Sequence, residues 1–207
     1  MSSLDENALF LRDRVLASPR KGNRRVVAIA GPPGSGKSTL AERLSSVLNG
    51  SNCPTQIVPM DGFHLDNSIL INRNLLHRKG APETFDVNGF LSLAKRLANA
   101  DEVFYPLFDR KRDISIAGAG LISPDCDTVL VEGNYLTMNL PNWRNLSRYW
   151  DMSIALQTPE AELRKRLIQR WLDQGLSPSM AEARAEENDL PNARLVLDKL
   201  TVCDVYI

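Results

Sequence analysis

Apolar positions alternate between two periods along this chain. Over 4–17, Leu4, Ala8, Leu11, Val15 and Leu16 recur at helical spacing, which predicts a helix packed on the main body and broken by "SPRKGN" at 18–23. "RRVVAIA" (24–30) is a short β-branched run and predicts a buried strand. "TQIVPM" (55–60), "DTVLVEGNYL" (127–136) and "WDMSIALQ" (150–157) predict further strands, and "CDVYI" (203–207) a closing one. Helical stretches lie between them. One covers 37–49 and ends at Gly50 as its cap, and another covers 87–99, capped by Asp86, with Val87, Phe90, Leu91, Ala94 and Leu97 on one face.

The segment 65–86 reads as part helix and part loop, interrupted by Gly80 and Pro82. "EVFYPLFDRKRD" (102–113) reads as extended and leads into a Gly-rich turn at 117–120. Beyond Pro159 the pattern is helical to about 173, again over roughly 178–187, and again over 191–199. Strands alternating with helices predict an α/β chain: a doubly wound, mostly parallel sheet with helices on both faces.

Bulk properties narrow the function. The 207 residues suit one sizeable domain. Acidic and basic residues balance at 25 each, so the basic excess of a nucleic-acid binder is missing. Cys53, Cys126 and Cys203 lie far apart with no CxxC pair or histidine cluster. That argues against a zinc site or disulfide framework and fits a reducing cytoplasm. No apolar run approaches the roughly 18 residues of a membrane span. The expectation is a cytoplasmic protein with no nucleic-acid or membrane partner.

Chemistry concentrates in "GPPGSGKST", Gly31, Pro32, Pro33, Gly34, Ser35, Gly36, Lys37, Ser38 and Thr39. Gly31, Gly36, Lys37 and Ser38 satisfy G-x-x-x-x-G-K-[ST], between an apolar strand and a helix-forming "TLAERL". Glycines let backbone N–H groups turn inward on phosphates, Lys37 brings a charge to the β/γ oxygens, and the Ser38 hydroxyl can ligate Mg²⁺. The following helix aims its N-terminus at the anion. ATP with Mg²⁺ is the expected ligand.

Two carboxylates fall at predicted strand ends. Glu132 closes "TVLVEG", where an acid can hold Mg²⁺ directly or through water. Asp61 in "PMDGFHLD" should reach the same crevice, because parallel strands deliver their C-terminal ends together. A kinase acting on an alcohol needs a carboxylate to orient the hydroxyl and take its proton, whereas one acting on a nucleotide phosphate needs arginines. Asp61 therefore points to a neutral hydroxyl acceptor. A guanine-nucleotide switch is disfavoured by the lack of an Asn-Lys-x-Asp motif, and "DVNG" (86–89) reads as a helix start.

The ordered set "GPPGSGKST", "MDGFH", "KGAPETFD", "YPLFDR", "VEGNYL" and "TPEAELRKRLIQRWLDQG" resembles the P-loop kinases that include uridine kinase, phosphoribulokinase and bacterial pantothenate kinase. The resemblance runs from about residue 24 to 200. "MDGFHLDN", "RKGAPETFDVNGF" and "VEGNYLTMN" look closest to the subgroup called fructose transport system kinase or nucleoside/nucleotide kinase-like. It implies a P-loop NTPase fold in a single kinase domain, with 1–23 as N-terminal helix and linker and about 159–187 as a helical lid. By it Asp61 is the catalytic base and Glu132 the Mg²⁺-side acid.

Phe108 and Asp109 match an acceptor segment usually written with a tyrosine and a polar residue, and Arg110 falls where relatives carry other side chains. Arg166 and Arg170, four apart on one helix face, are expected to neutralise charge on the transferred group. "DQGLSP" (173–178) is the expected hinge of the lid. His64 is expected to line the acceptor pocket, His77 less so, and Asp109, Arg110, Asp113 and His64 together to offer the donors and acceptors that a polyhydroxylated ligand needs. Trp143, Trp150 and Trp171 are expected to pack. Asn188, Asp189, Pro191 and Asn192 start a helix near either adenine or acceptor. The expected activity is transfer of the γ-phosphoryl group to a hydroxyl of a small sugar-like metabolite, fructose first, with a nucleoside or pantothenate as alternative. A homodimer stays open.

Overall fold

The computed structural model describes residues 3–207. In chain order the elements are α1 (Ser3–Ala17), β1 (Arg25–Ala30), α2 (Lys37–Asn49), β2 (Thr55–Pro59), α3 (Asn67–Asn72), α4 (Val87–Leu97), β3 (Val103–Asp109), β4 (Ile114–Ile122), β5 (Thr128–Gly133), β6 (Met152–Ala155), α5 (Glu160–Asp173), α6 (Pro178–Arg184), α7 (Leu190–Lys199) and β7 (Val205–Tyr206). Five strands form a parallel sheet in the order β2-β5-β1-β6-β7, while β3 and β4 pair as a separate antiparallel hairpin. This is the α/β P-loop NTPase fold.

Both faces of the sheet are covered, so β1 and β5 are buried at every position. Alternate residues of one strand feed opposite cores. Val26 and Ala28 join Val129 and Val131 against Phe90, Leu93 and Leu97 of α4. Val27 and Ile29 join Leu130 and Ile154 against Leu11 and Val15 of α1 and Leu40 and Leu44 of α2. A third small core ties α5 to α7 through Leu163, Leu167, Leu190 and Ala193. Among the described residues, no helix is long and apolar enough to cross a membrane.

Register places the site. Ala30 pairs with Gly133, and Pro59 with Glu132, so β1, β5 and β2 end at one level. The loop after β1, the turn after β2 and the end of β5 therefore open on one crevice.

Several expectations need correction. Residues 117–120 are no turn: they run inside β4, and the chain reverses at 110–113, where Asp113 takes φ 57°. Gly120 makes room instead, since a Cβ there would press into the Tyr105 ring, while Gly118 takes a left-handed conformation (φ 64°). Leu16 is exposed, whereas Ala8, Leu11 and Val15 carry the packed face of α1. β2 stops at Pro59, and Met60–Phe63 tighten into a 3₁₀ turn. Gly50 does cap α2, but in a right-handed conformation (φ −66°), and the left-handed residue is Asn52.

The last two predicted helices are one rod. A π turn, Ala185–Asp189, joins α6 to α7. Pro191 lacks a backbone donor and would crowd an unbroken α-turn, which the wider π turn relieves.

Candidate phosphoryl-transfer site

The loop after β1 wraps the N-terminus of α2. Gly34 (φ 79°) and Gly36 (φ 93°) adopt left-handed conformations that a side chain would strain. Lys37 starts α2 and reaches back across the loop to donate from Nζ to the Pro32 carbonyl at 3.0 Å. The Ser35 amide donates to the same carbonyl at 3.1 Å, so Pro32 is the loop's internal anchor. Burial pushes the Lys37 ammonium down to about 8, against the pull of Glu132 and Asp61.

Glu132 is buried at the end of β5. Burial raises its carboxyl, while Lys37 and a hydrogen bond from Ser38 oppose the rise. A hydroxyl and a carboxylate thus meet beside the phosphate loop, two hard oxygen donors of the kind Mg²⁺ takes.

Asp61 lies in the 3₁₀ turn after β2. Its Oδ2 accepts from Arg110 Nη2 at 2.6 Å, and among the described residues its other oxygen has no hydrogen-bond donor. The turn is held by close approach: a Cβ on Gly62 would lie 2.6 Å from the carbonyl carbon of Pro106 in β3. His64, at the end of the same turn, stacks between Phe85 and Phe108, with ring centroids 4.1 and 4.6 Å away. Its Nδ1 lies 2.8 Å from the Asp61 carbonyl. A carbonyl only accepts, so Nδ1 carries the proton; burial lowers the imidazole pKa, leaving Nε2 a bare acceptor at neutral pH.

These groups line a cavity of about 610 Å³ that runs from Lys37, Ser38 and Thr39 past Asp61 and Glu132. Its far half holds Phe108, Arg110, Lys79, Asp113, Asn67 and Asn192. There the Lys79 ammonium touches Asn67 Oδ1 (2.6 Å) and Asp113 Oδ1 (2.9 Å), and Asn67 donates to Asp113 Oδ2 at 2.8 Å.

Strand alternation divides "FDR". Phe108 and Arg110 face the cavity, whereas Asp109 points away and holds Arg112 at 2.8 Å. The expectation of Asp109 on the acceptor is therefore corrected. The two helix arginines also part company. Arg170 lies on the cavity, half-buried, and desolvation lowers its pKa; among the described residues its guanidinium donates no hydrogen bond. Arg166 is exposed, pairs with Glu162 at 2.8 Å and reaches the Gly34 carbonyl at 3.3 Å, outside this cavity.

Trp143 and Trp150 are core residues, as expected. Trp171 packs on the α5–α7 core, also as expected, and in addition borders the cavity and donates from Nε1 to Asp189 at 2.6 Å. Asp189 and Asn192 border the same cavity, which places that stretch on its acceptor side. His77 stays outside and offers its carbonyl to Arg184 at 2.9 Å. Asp113 lines the cavity as expected, whereas Lys79 and Arg184, which line it too, carried no sequence signal because separate segments bring them there.

Fold and site together define a P-loop phosphotransferase. A family model described as AAA domain matches residues 27–187. "Uncharacterized protein YggC" of Escherichia coli (strain K12) is 38% identical over 84% of this chain and 73% of its own length. "Putative uridine kinase C227.14" of Schizosaccharomyces pombe is 30% identical over 100% of this chain and 91% of its own. A crystal structure described as "putative fructose transport system kinase from Silicibacter sp. TM1040" superposes with TM-score 0.92 at 48% identity, covering 100% of both chains. The chain belongs to the P-loop family that this family model describes, as a relative of small-molecule kinases such as the Schizosaccharomyces pombe protein.

Proposed function

We propose that this protein transfers the γ-phosphoryl group of ATP to a hydroxyl of a sugar-like polyol, with fructose the first candidate. The observation that carries the reading is the Asp61 carboxylate: one oxygen is fixed by Arg110, and the other is open to the cavity's acceptor half. A hydroxyl placed there gives its proton to the open oxygen as its own oxygen attacks the γ-phosphorus. The bond to the β-phosphate oxygen breaks and ADP leaves. Lys37 and Arg170 meet the charge that spreads over the transferred group, in a desolvated setting where each is worth most. Ser38 and Glu132 would hold Mg²⁺, which neutralises β/γ oxygens when bound.

The acceptor half supports a polyol. Asn67, Lys79 and Asp113 present a dense set of donors and acceptors, and His64 Nε2 takes a hydroxyl proton. Buried hydroxyls need such partners one by one. Phe108 and Phe85 give an apolar wall for the face of a ring. The Silicibacter description adds a sugar to the list of acceptors to try first. The test is ADP release from ATP with fructose, other sugars, uridine and pantothenate, with kcat/KM for each. A preference of about a hundredfold for uridine or pantothenate over every sugar would overturn the polyol, since a site paired to one set of hydroxyls discriminates that strongly.

A further inference from the structure

A second cavity of about 520 Å³ opens on the opposite side of the phosphate loop. The two share Gly34, Gly36 and Thr39, so a chain of phosphates lying over the loop has one end in each. Their linings differ in kind. The first is crowded with charged side chains. The second has a single charged side chain: Leu4, Leu40, Leu156 and Ile207 form its apolar part, and the Asn7 and Gln157 amides with serine and threonine hydroxyls its polar part. Arg166, corrected above out of the first cavity, borders this one.

A slot part apolar and part lined by amides and hydroxyls fits a flat nucleobase, whose faces are apolar and whose edge is polar. The acidic and basic network around Asp61 and Lys79 does not. Since Asp61, Lys37 and Glu132 fix the γ end of the triphosphate in the first cavity, the nucleoside end falls in the second.

One side of that slot is made by α1. Leu4 and Asn7 come from its first two turns. The helix is anchored on α2, through Leu11 and Val15 in the shared core and through the Asp5–Arg43 pair at 2.7 Å. α2 also carries Lys37 and Ser38, so wall and phosphate loop are held on one rigid element. We propose that α1 is the outer wall of the donor-base site, and that Leu4 and Asn7 set the affinity for the nucleoside part of the donor. The inference rests on the phosphate loop binding a nucleoside triphosphate and is independent of the acceptor.

Calorimetric titration of the full chain with ATP–Mg²⁺ and, separately, inorganic tripolyphosphate–Mg²⁺ tests it. Leu4→Trp fills the slot and should weaken ATP at least tenfold while leaving tripolyphosphate within about twofold. Phe10→Ala, on the exposed face of α1, should change neither. ATP binding unchanged in Leu4→Trp would overturn the proposal, as would parallel loss of both ligands, which would show α1 acting through the loop's shape. Should Leu4→Trp fail to fold, photolabelling of the wild-type protein by 8-azido-ATP decides. Label on the peptide holding Leu4 and Asn7 supports the wall, and label confined to peptides of the first cavity refutes it. A protein that binds ATP this way yet phosphorylates no hydroxyl would instead defeat the kinase reading alone.

Discussion

Replacing Gly62 with alanine tests whether the turn bearing Asp61 is clamped against the hairpin. The Gly62 backbone needs no unusual φ, so the effect is purely steric. The added Cβ would sit 2.6 Å from the Pro106 carbonyl carbon, 3.2 Å from the Leu107 nitrogen and closer still to the Pro106 oxygen. Ordinary carbon contacts are about 3.5–4.0 Å, so something must retreat by roughly 1 Å. Nothing flexible is available to retreat: all three atoms are backbone, and β3 carries Phe108 on the far side of the contact. Overpacking of this kind costs about 1–3 kcal/mol. For a chain of this size each kcal/mol lowers Tm by about 2–4 °C, which gives a fall of roughly 2–12 °C.

The shift also moves Asp61 relative to Lys37 or to the acceptor wall, and misplacement by about 1 Å can cost roughly 10² in rate. Thermal unfolding and steady-state ADP release on the same preparation read both effects, with Gly50→Ala as control. There the Cβ meets Ser46 O at 3.4 Å and Val47 O at 3.6 Å in a right-handed conformation, so that variant should match or slightly exceed wild-type stability. If Gly62→Ala behaves like Gly50→Ala in both assays, the clamp is not what positions Asp61.

Other substitutions separate the roles around the phosphates. Lys37→Ala should abolish turnover, since no other group spans from the loop to the β/γ oxygens; a purified variant with near wild-type kcat would refute that role. Asp61→Asn should lower kcat by roughly 10²–10⁴ with ATP affinity nearly intact, and an equal loss of ATP affinity would make Asp61 a metal ligand instead. Glu132→Gln should raise the Mg²⁺ concentration for half-maximal rate, and an unchanged Mg²⁺ dependence would place Glu132 outside the metal's reach. In the native protein Cys126 should resist alkylation at pH 8, because burial pushes its thiol up to about 11; rapid labelling in mass spectra would contradict that packing.

The phosphate loop and Glu132 were legible in the sequence because each is local. Nine consecutive residues build the loop, and an apolar strand that ends in Glu132 can only deliver it to the strand ends. Asp61 was legible for the same reason, although the strand stops two residues before it and a 3₁₀ turn does the final aiming. Residues 108–110 were harder. Alternation says that Asp109 opposes its neighbours, but which face meets the cavity depends on how the hairpin docks, and that is set by Gly62 against Pro106. Arg166 and Arg170 share a helix face by spacing, yet one turn of rise is enough to send them to different cavities. Lys79 and Arg184 had no pattern to betray them, and the π turn before Pro191 left none either.

The hairpin β3–β4 shares no ladder with the parallel sheet. Lys37, Ser38 and Glu132, the groups that would manage phosphate, belong to that sheet and its first helix, while Phe108, Arg110 and Asp113 belong to the hairpin and its tip. The molecule is thus assembled like a tool with an interchangeable head. Changes in the hairpin's sequence can reshape the far half of the cavity while the phosphate loop stays as it is, provided Arg110 still holds Asp61 and the Gly62 seam still closes. Such a seam is where a new lining can be grafted, by evolution or in the laboratory.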